Sequence, residues 1–262
     1  MHNLAQAIWV EALKARRSTL PLFTALGFAL APLAGSFFMI VLRDPVLAQQ
    51  ARLISDKAQI VAGQADWPTY LGLLAQATAI GGLLLFSLIT SWVFGREAVD
   101  RTGKDLLALP TGRAAIVAAK FVVICLWSAL LALLILLMGL GLGTGIGLPP
   151  VAMSVLWSGV GRVAITTGLT IALVPPIAFF ASAGRGYLPP VGIALLTMIL
   201  AQVIAAAGWG DYFPWSVPAL YSGVAGGQAA QLGGVSFALV ILTGIAGIIG
   251  TFLWWEWADQ TH

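Results

Sequence analysis

The chain has 262 residues, 60% of them hydrophobic and only 9% charged, with a formal net charge of +3 and a mean hydropathy of +0.96. Soluble domains carry roughly a quarter charged residues, so this composition excludes a water-soluble globular protein and points to an all-α membrane protein. A single cysteine, Cys125, excludes an internal disulfide. Histidines only at the two ends, His2 and His262, exclude zinc sites of familiar spacing and Ser/His or Cys/His catalytic pairs.

Leu4, Ala5, Ile8, Trp9, Ala12 and Leu13 share one helical face, and Asn3, Gln6, Lys14 and Arg17 share the other. Residues 1–19 are therefore expected to form an interfacial helix on the membrane surface, with a short soluble helix as the alternative. Ala34-Gly35-Ser36 resembles a signal-peptide cleavage site, but the apolar run continues to Leu42, longer than an h-region, and is read as a retained span. A hydrocarbon core about 30 Å thick needs about 20 apolar residues per helix. Six spans follow on that measure: 20–42, 70–94, 115–142, 153–181, 189–207 and 235–255, which make one transmembrane domain over 20–255. Between the first two, Leu47, Ala51, Ile54, Ala58 and Val61 predict an amphipathic outer helix over 46–62.

The second span runs into the densest charge in the chain: Arg96, Glu97, Asp100, Arg101, Lys104, Asp105 and Arg113. On a helix, Arg96/Asp100, Glu97/Arg101, Asp100/Lys104 and Arg101/Asp105 are opposite charges at i,i+4 spacing. Pro110 ends that helix and Gly112 permits the turn into span three. Two readings stay open here: an element that protrudes to touch a partner, or a solvated loop that fixes topology.

Span three ends in Gly139, Gly141, Gly143, Gly145 and Gly147, at the spacing that lets helices approach closely. Span four holds Arg162, an intramembrane charge that is either functional or snorkels to the interface, and Pro175-Pro176, which predict a kink. The stretch from Gly208 to Gly234 is too apolar for a plain loop and is read as an outer re-entrant hairpin. A short tail, 256–262, follows the sixth span.

Lys14, Arg16, Arg17, Arg96, Arg101, Lys104, Arg113, Lys120 and Arg185 collect on one side, against Arg43, Arg52 and Lys57 on the other. Basic residues mark the cytosolic face, so both termini and the central charged stretch are expected there, in a multi-pass protein of a bacterial cytoplasmic membrane. No Gly-x-x-x-x-Gly-Lys-[Ser/Thr] and no Gly-x-Ser-x-Gly occurs. Gly208-Trp209-Gly210-Asp211 matches the Gly-x-Gly-Asp of intramembrane aspartyl proteases, but that chemistry needs a second carboxylate in the apolar core, and none is present. No catalytic residue, metal site or cofactor is assigned to this chain, and nothing points to nucleic acid. The few polar side chains within the spans, among them Gln76, Thr78, Ser87, Thr90, Ser128, Thr166, Thr167, Thr170, Thr197 and Gln202, suit a hydrophobic or amphipathic cargo better than an ion.

Phe94-Gly95-Arg96-Glu97, Asp100-Arg101-Thr102, Lys104 through Pro110, Gly112-Arg113 and Lys120 together resemble the first cytosolic segment of ABC-2-type permeases, nearest the bacitracin-resistance and lantibiotic-immunity branch. Tyr212 through Tyr221 resembles the last outer segment of that branch, and the six-span plan with an N-terminal interfacial helix fits the family over essentially the whole chain. The resemblance implies a permease without its own ATPase. A second copy or a sister permease would complete the pathway in the lipid bilayer. Two separate ABC ATPase subunits, carrying ATP and Mg, would dock below. It implies a coupling helix at Gly95, Arg96, Glu97, Asp100, Arg101, Thr102, Lys104 and Asp105, and an outer gate near Asp211, Pro214, Trp215 and Pro218. Export of a peptide, antibiotic or lipid is the function so implied. The alternative is a non-transporting immunity or assembly factor that recruits a cytosolic partner. The outer helix at 46–62 departs from the family plan.

Overall fold

A computed structural model describes residues 2–44, 64–100, 112–184, 186–224 and 232–257. The outer helix expected at 46–62, with Arg52 and Lys57, lies outside the described residues, as do Arg101, Thr102, Lys104, Asp105, Pro110, Arg185 and the tail beyond Trp257.

The described residues form helices and connecting turns, with no strand among them. Helix α1 (His2–Arg16) is followed by α2 (Leu20–Arg43), the first span. The second span comprises α3 (Trp67–Ala77), a π-helical segment (Thr78–Gly82) and α4 (Leu83–Val99). Helix α5 (Arg113–Gly145) is the third span; α6 (Met153–Ala172) and α7 (Pro175–Ala183) share the fourth; α8 (Leu188–Ala206) is the fifth. Short 3-10 turns at Gly210–Tyr212 and Pro214–Ser216 lead into α9 (Val217–Ser222), and α10 (Gly234–Trp257) is the sixth span. All six helices or helix pairs are long and apolar enough to cross a membrane. Their bounds lie within five residues of the apolar runs in the sequence, because length of apolar run is what defines a span.

Spans two and four are the most buried and form the centre of the bundle. Their junctions follow from sequence. Asp66 caps α3, its carboxylate accepting from the Thr69 amide at 2.9 Å. Pro175 and Pro176 cannot continue the α6 hydrogen-bond ladder, so span four breaks at Leu173–Val174 as the double proline predicts. The glycine series in α5 is asymmetric. A Cβ on Gly139 would strike Leu74 and one on Gly143 would strike Trp67, whereas Gly141 and Gly145 face open space. The small-residue face therefore seats α3, and the other face is spare.

The break in span four is matched by glycines in span six. A Cβ on Gly244 would collide with the Ala172 carbonyl oxygen, and one on Gly247 with the backbone of Pro175 and Pro176. Backbone cannot rotate away as a side chain can. Gly247→Ala should therefore destabilise the bundle by about 1–3 kcal/mol, the usual cost of overpacking. Gly250→Ala, whose Cβ would sit 3.5 Å from the Phe179 ring, should be neutral or slightly stabilising through helix propensity. Thermal unfolding of the two variants in detergent micelles compares them, and equal midpoints would contradict this packing.

The apolar face of α1 expected to lie on the membrane points outward: Trp9 is 68% exposed, while Glu11 and Ala15 are buried against α5. Helix α1 is docked by a buried acid, and its aromatic residue is left outward, where a bilayer interface would receive it.

Candidate functional site

The end of span two divides into two faces. Its inward face builds a buried ion cluster. Lys120, seven residues past the start of α5, is fully buried. Its ammonium donates to Glu97 Oε1 at 2.5 Å, to Glu11 Oε2 at 3.2 Å and to the Val93 carbonyl at 2.8 Å, so all three protons are used. Lys14 donates to Glu11 Oε1 at 2.7 Å and to Glu97 Oε1 at 3.3 Å. Two acids and two bases thus neutralise one another across three elements, α1, α4 and α5. Burial alone would lower the Lys14 pKa, but the adjoining Glu11 and Glu97 carboxylates overcome it and hold the ammonium above its usual value. Lys14 therefore stays charged. Glu97 Oε2 is buried with no hydrogen-bond partner among the described residues.

Span six closes the cluster. The Lys120 ammonium lies 5.8 Å from the Phe94 ring centroid and 6.0 Å from that of Trp255. Arg113, at the start of α5, donates to the carbonyls of Trp255 at 3.3 Å and Glu256 at 3.2 Å, which caps the last turn of α10. The Trp255 indole donates to Ser182 Oγ at 2.9 Å and so ties in the end of span four.

The outward face holds Arg96 and Asp100, paired at 3.0 Å, with the guanidinium 5.1 Å from the Trp92 ring centroid. Gly95 lies between the faces. A Cβ there would meet the Gly186 carbonyl oxygen at 2.9 Å, so only glycine lets the turn between spans four and five lie against span two. Ser91 Oγ donates to the Tyr187 carbonyl at 3.0 Å and completes that contact. The Tyr187 phenol is pushed above its ordinary pKa by burial first, then by the charges of Asp100 and Glu97, against the opposing Arg96.

The structure thus brings together Gly95, Arg96, Glu97 and Asp100 and sorts them: Arg96 and Asp100 are accessible, while Glu97, 6% exposed, is spent on the interior cluster. The expected i,i+4 partner of Glu97 was Arg101, which is outside the described residues; among those described, Lys14 and Lys120 hold its carboxylate. Glu11 was not singled out from sequence at all. Its signal was an acid in the middle of an otherwise apolar and basic helix, and Lys120 carried the complementary one, a lysine well inside an apolar span.

At the opposite end of span two, Asp211, Pro214, Trp215 and Pro218 lie in the short turns leading into and through α9; the 3-10 turns pack on α8, and α9 packs on α6, α3 and the π-helical segment. Pro218 is buried, and Asp211, Pro214 and Trp215 are half-buried. Ser216 Oγ fixes the turn by donating to the carbonyls of Gly210 and Phe213 at 2.5 and 2.7 Å. The segment encloses an apolar cavity of about 240 Å³ with α8 and the π-helical segment, lined by Ala79, Leu83, Met198, Gln202, Trp215 and Leu220 among others. The extra residue that makes the π turn had no sequence signal beyond Gly81-Gly82; such insertions often sit at functional positions. Arg162 is exposed on the outer surface of α6, about 14 Å along the axis from its first residue. No group of three or more His, Cys, Asp or Glu able to hold a metal occurs among the described residues.

Five of the eight hydroxyls among these polar side chains bond within their own helices. Thr78, Thr90, Thr167 and Thr170 each donate to the carbonyl four residues earlier, at 2.7–2.8 Å, and Thr197 to the Ala194 carbonyl at 2.9 Å, while the Ser87, Ser128 and Thr166 hydroxyls are buried with no partner among the described residues. Gln76 donates to the Gly223 carbonyl at 3.4 Å. Gln202 is exposed at the cavity wall.

A family model described as ABC-2 family transporter protein matches residues 7–201, which includes α1, the ion cluster and the first five spans almost entirely. The chain is also similar to the bacitracin transport permease protein BCRB of Bacillus licheniformis, with 26% identity over 135 residues. That alignment covers 52% of this chain and 65% of the relative, just under two thirds of the relative's length.

Proposed function

The chain belongs to the ABC-2 family of transporter proteins, and from that premise we propose that it is the permease subunit of an exporter driven by ATP hydrolysis on separate subunits. Two ABC ATPases would bind the side that carries α1 and the end of span two. A second permease, identical or a sister, would complete the pathway. The cargo would be hydrophobic or amphipathic, a peptide, antibiotic or lipid, in keeping with the apolar lining of the outer cavity and with the printed name of the relative.

The observation that carries this reading is the joint at the end of span two. Arg96 and Asp100 face outward from the helix whose next turn inward, Glu97, is locked by Lys120 to span three and by Lys14 to α1. A push on the outer face is then felt by three elements as one body. It shifts the bundle only if the ATPase binds its two states with different affinity. No residue of this chain is assigned a catalytic role.

Co-purification tests the reading. A stoichiometric ABC ATPase whose turnover rises when cargo is added supports it. An associated protein without ATPase activity, or an ATPase indifferent to every cargo exported by the cells, supports a recruiting factor instead.

A further inference from the structure

We propose that the groove between α1, the start of α2 and the turn before α8 is a binding site for one anionic phospholipid of the leaflet that carries α1. The groove has two parts with different chemistry. The first, about 510 Å³, is polar and is lined by Lys14, Arg17, Ser18, Thr19, Arg96 and Asp100, with Val10 and Leu13 on its α1 side. The second, about 270 Å³, is apolar and runs along the membrane-spanning helices between Leu20, Phe23, Leu85, Leu88 and Val191. Trp92 and Tyr187 line both parts. A headgroup-sized polar pocket therefore continues into an apolar crevice, and the aromatic side chains stand at the level where they favour a membrane interface.

Charge fixes the kind of headgroup. Four charged side chains line the polar part. Asp100 is matched by Arg96 at 3.0 Å, and Lys14 is engaged by Glu11 and Glu97. Arg17 is exposed and makes no ion pair among the described residues, so one positive charge is left for an incoming group. Thr19, which precedes α2 and lines the pocket, makes no side-chain cap bond to the helix. Basic pockets between spanning helices are the usual seat of anionic headgroups. The crevice is continuous with a second apolar groove of about 520 Å³ between α2 and span two, with Leu85 common to both, which gives an acyl chain room to run further into the bilayer. A free phosphate would use the polar part and leave the apolar part without a role. A lipid uses both.

Native mass spectrometry of the purified full-length chain in detergent tests this, with phosphatidylglycerol and phosphatidylcholine of identical acyl chains added separately. Phosphatidylglycerol should be retained several-fold more than phosphatidylcholine. Arg17→Ala should reduce that preference about fivefold, the effect of one basic side chain at an anionic surface. Val191→Trp, which fills the crevice, should reduce retention of both lipids; thermal midpoints equal to the parent chain verify that both variants are folded. Equal retention of the two lipids, or unchanged retention in either variant, would overturn the proposal. Displacement of phosphatidylglycerol by millimolar inorganic phosphate would also overturn it, since the pocket would then be a free-anion site.

Discussion

Lys120→Met is expected to destabilise the bundle by about 3–5 kcal/mol, the range for removing one partner of a buried ion pair. The loss is large because the ammonium has no exposure to water and three acceptors depend on it. Glu11 and Glu97 would be left with Lys14 alone, two buried carboxylates against one cation. Adding Glu97→Gln to Lys120→Met should recover most of the loss, because the remaining Glu11–Lys14 pair at 2.7 Å is neutral. The cycle of two single variants and the double variant is read as unfolding midpoints in micelles. Additive effects would show that the two side chains do not depend on each other. Buried ion pairs seldom stabilise more than apolar residues of the same shape. What this cluster supplies is registry: α1 has one position on span three, and the end of span two has one position on both.

The second expectation concerns function with the fold intact. Exchanging the exposed pair, Arg96→Glu with Asp100→Arg, keeps an i,i+4 ion pair and should change stability by less than about 1 kcal/mol. If the partner ATPase reads these charges, cargo-stimulated ATP turnover should fall at least tenfold, since mispaired charges in an interface cost about 2–5 kcal/mol. Glu97→Lys is the contrasting variant. It places a third cation beside Lys14 and Lys120 and should abolish both fold and turnover. Normal turnover in the Arg96/Asp100 exchange would remove this face from the coupling path.

The spans were legible because the bilayer imposes one rule, length of apolar run, and the chain obeys it from Leu20 to Trp257. The kink at Pro175-Pro176 and the close approach at Gly139 and Gly143 were legible for the same reason: each follows from the local chemistry of one or two residues. The site was legible only in part. The stretch from Gly95 to Asp100 was found as a charge run, and helical spacing offered Glu97 only Arg101, which lies outside the described residues. Its partners among the described residues are 83 and 23 residues away, on α1 and α5. Pairing of that range has no periodic signature. The clue available was energetic: Glu11 and Lys120 are each ionisable groups in apolar surroundings, and an unpaired charge there is too costly to leave alone. The π turn at Thr78–Gly82 packs against α6 and α9, distant elements that its own sequence does not reveal.

Site-directed cross-linking at position 100 tests the coupling face most directly. In a Cys125→Ser background, which removes the single native thiol, Asp100→Cys should cross-link to the co-expressed ATPase in membranes of transporting cells. It should also resist a membrane-impermeant maleimide applied to intact cells. Labelling of that cysteine from outside, or its failure to reach the ATPase in a complex that still transports, would contradict a drive entering through the end of span two.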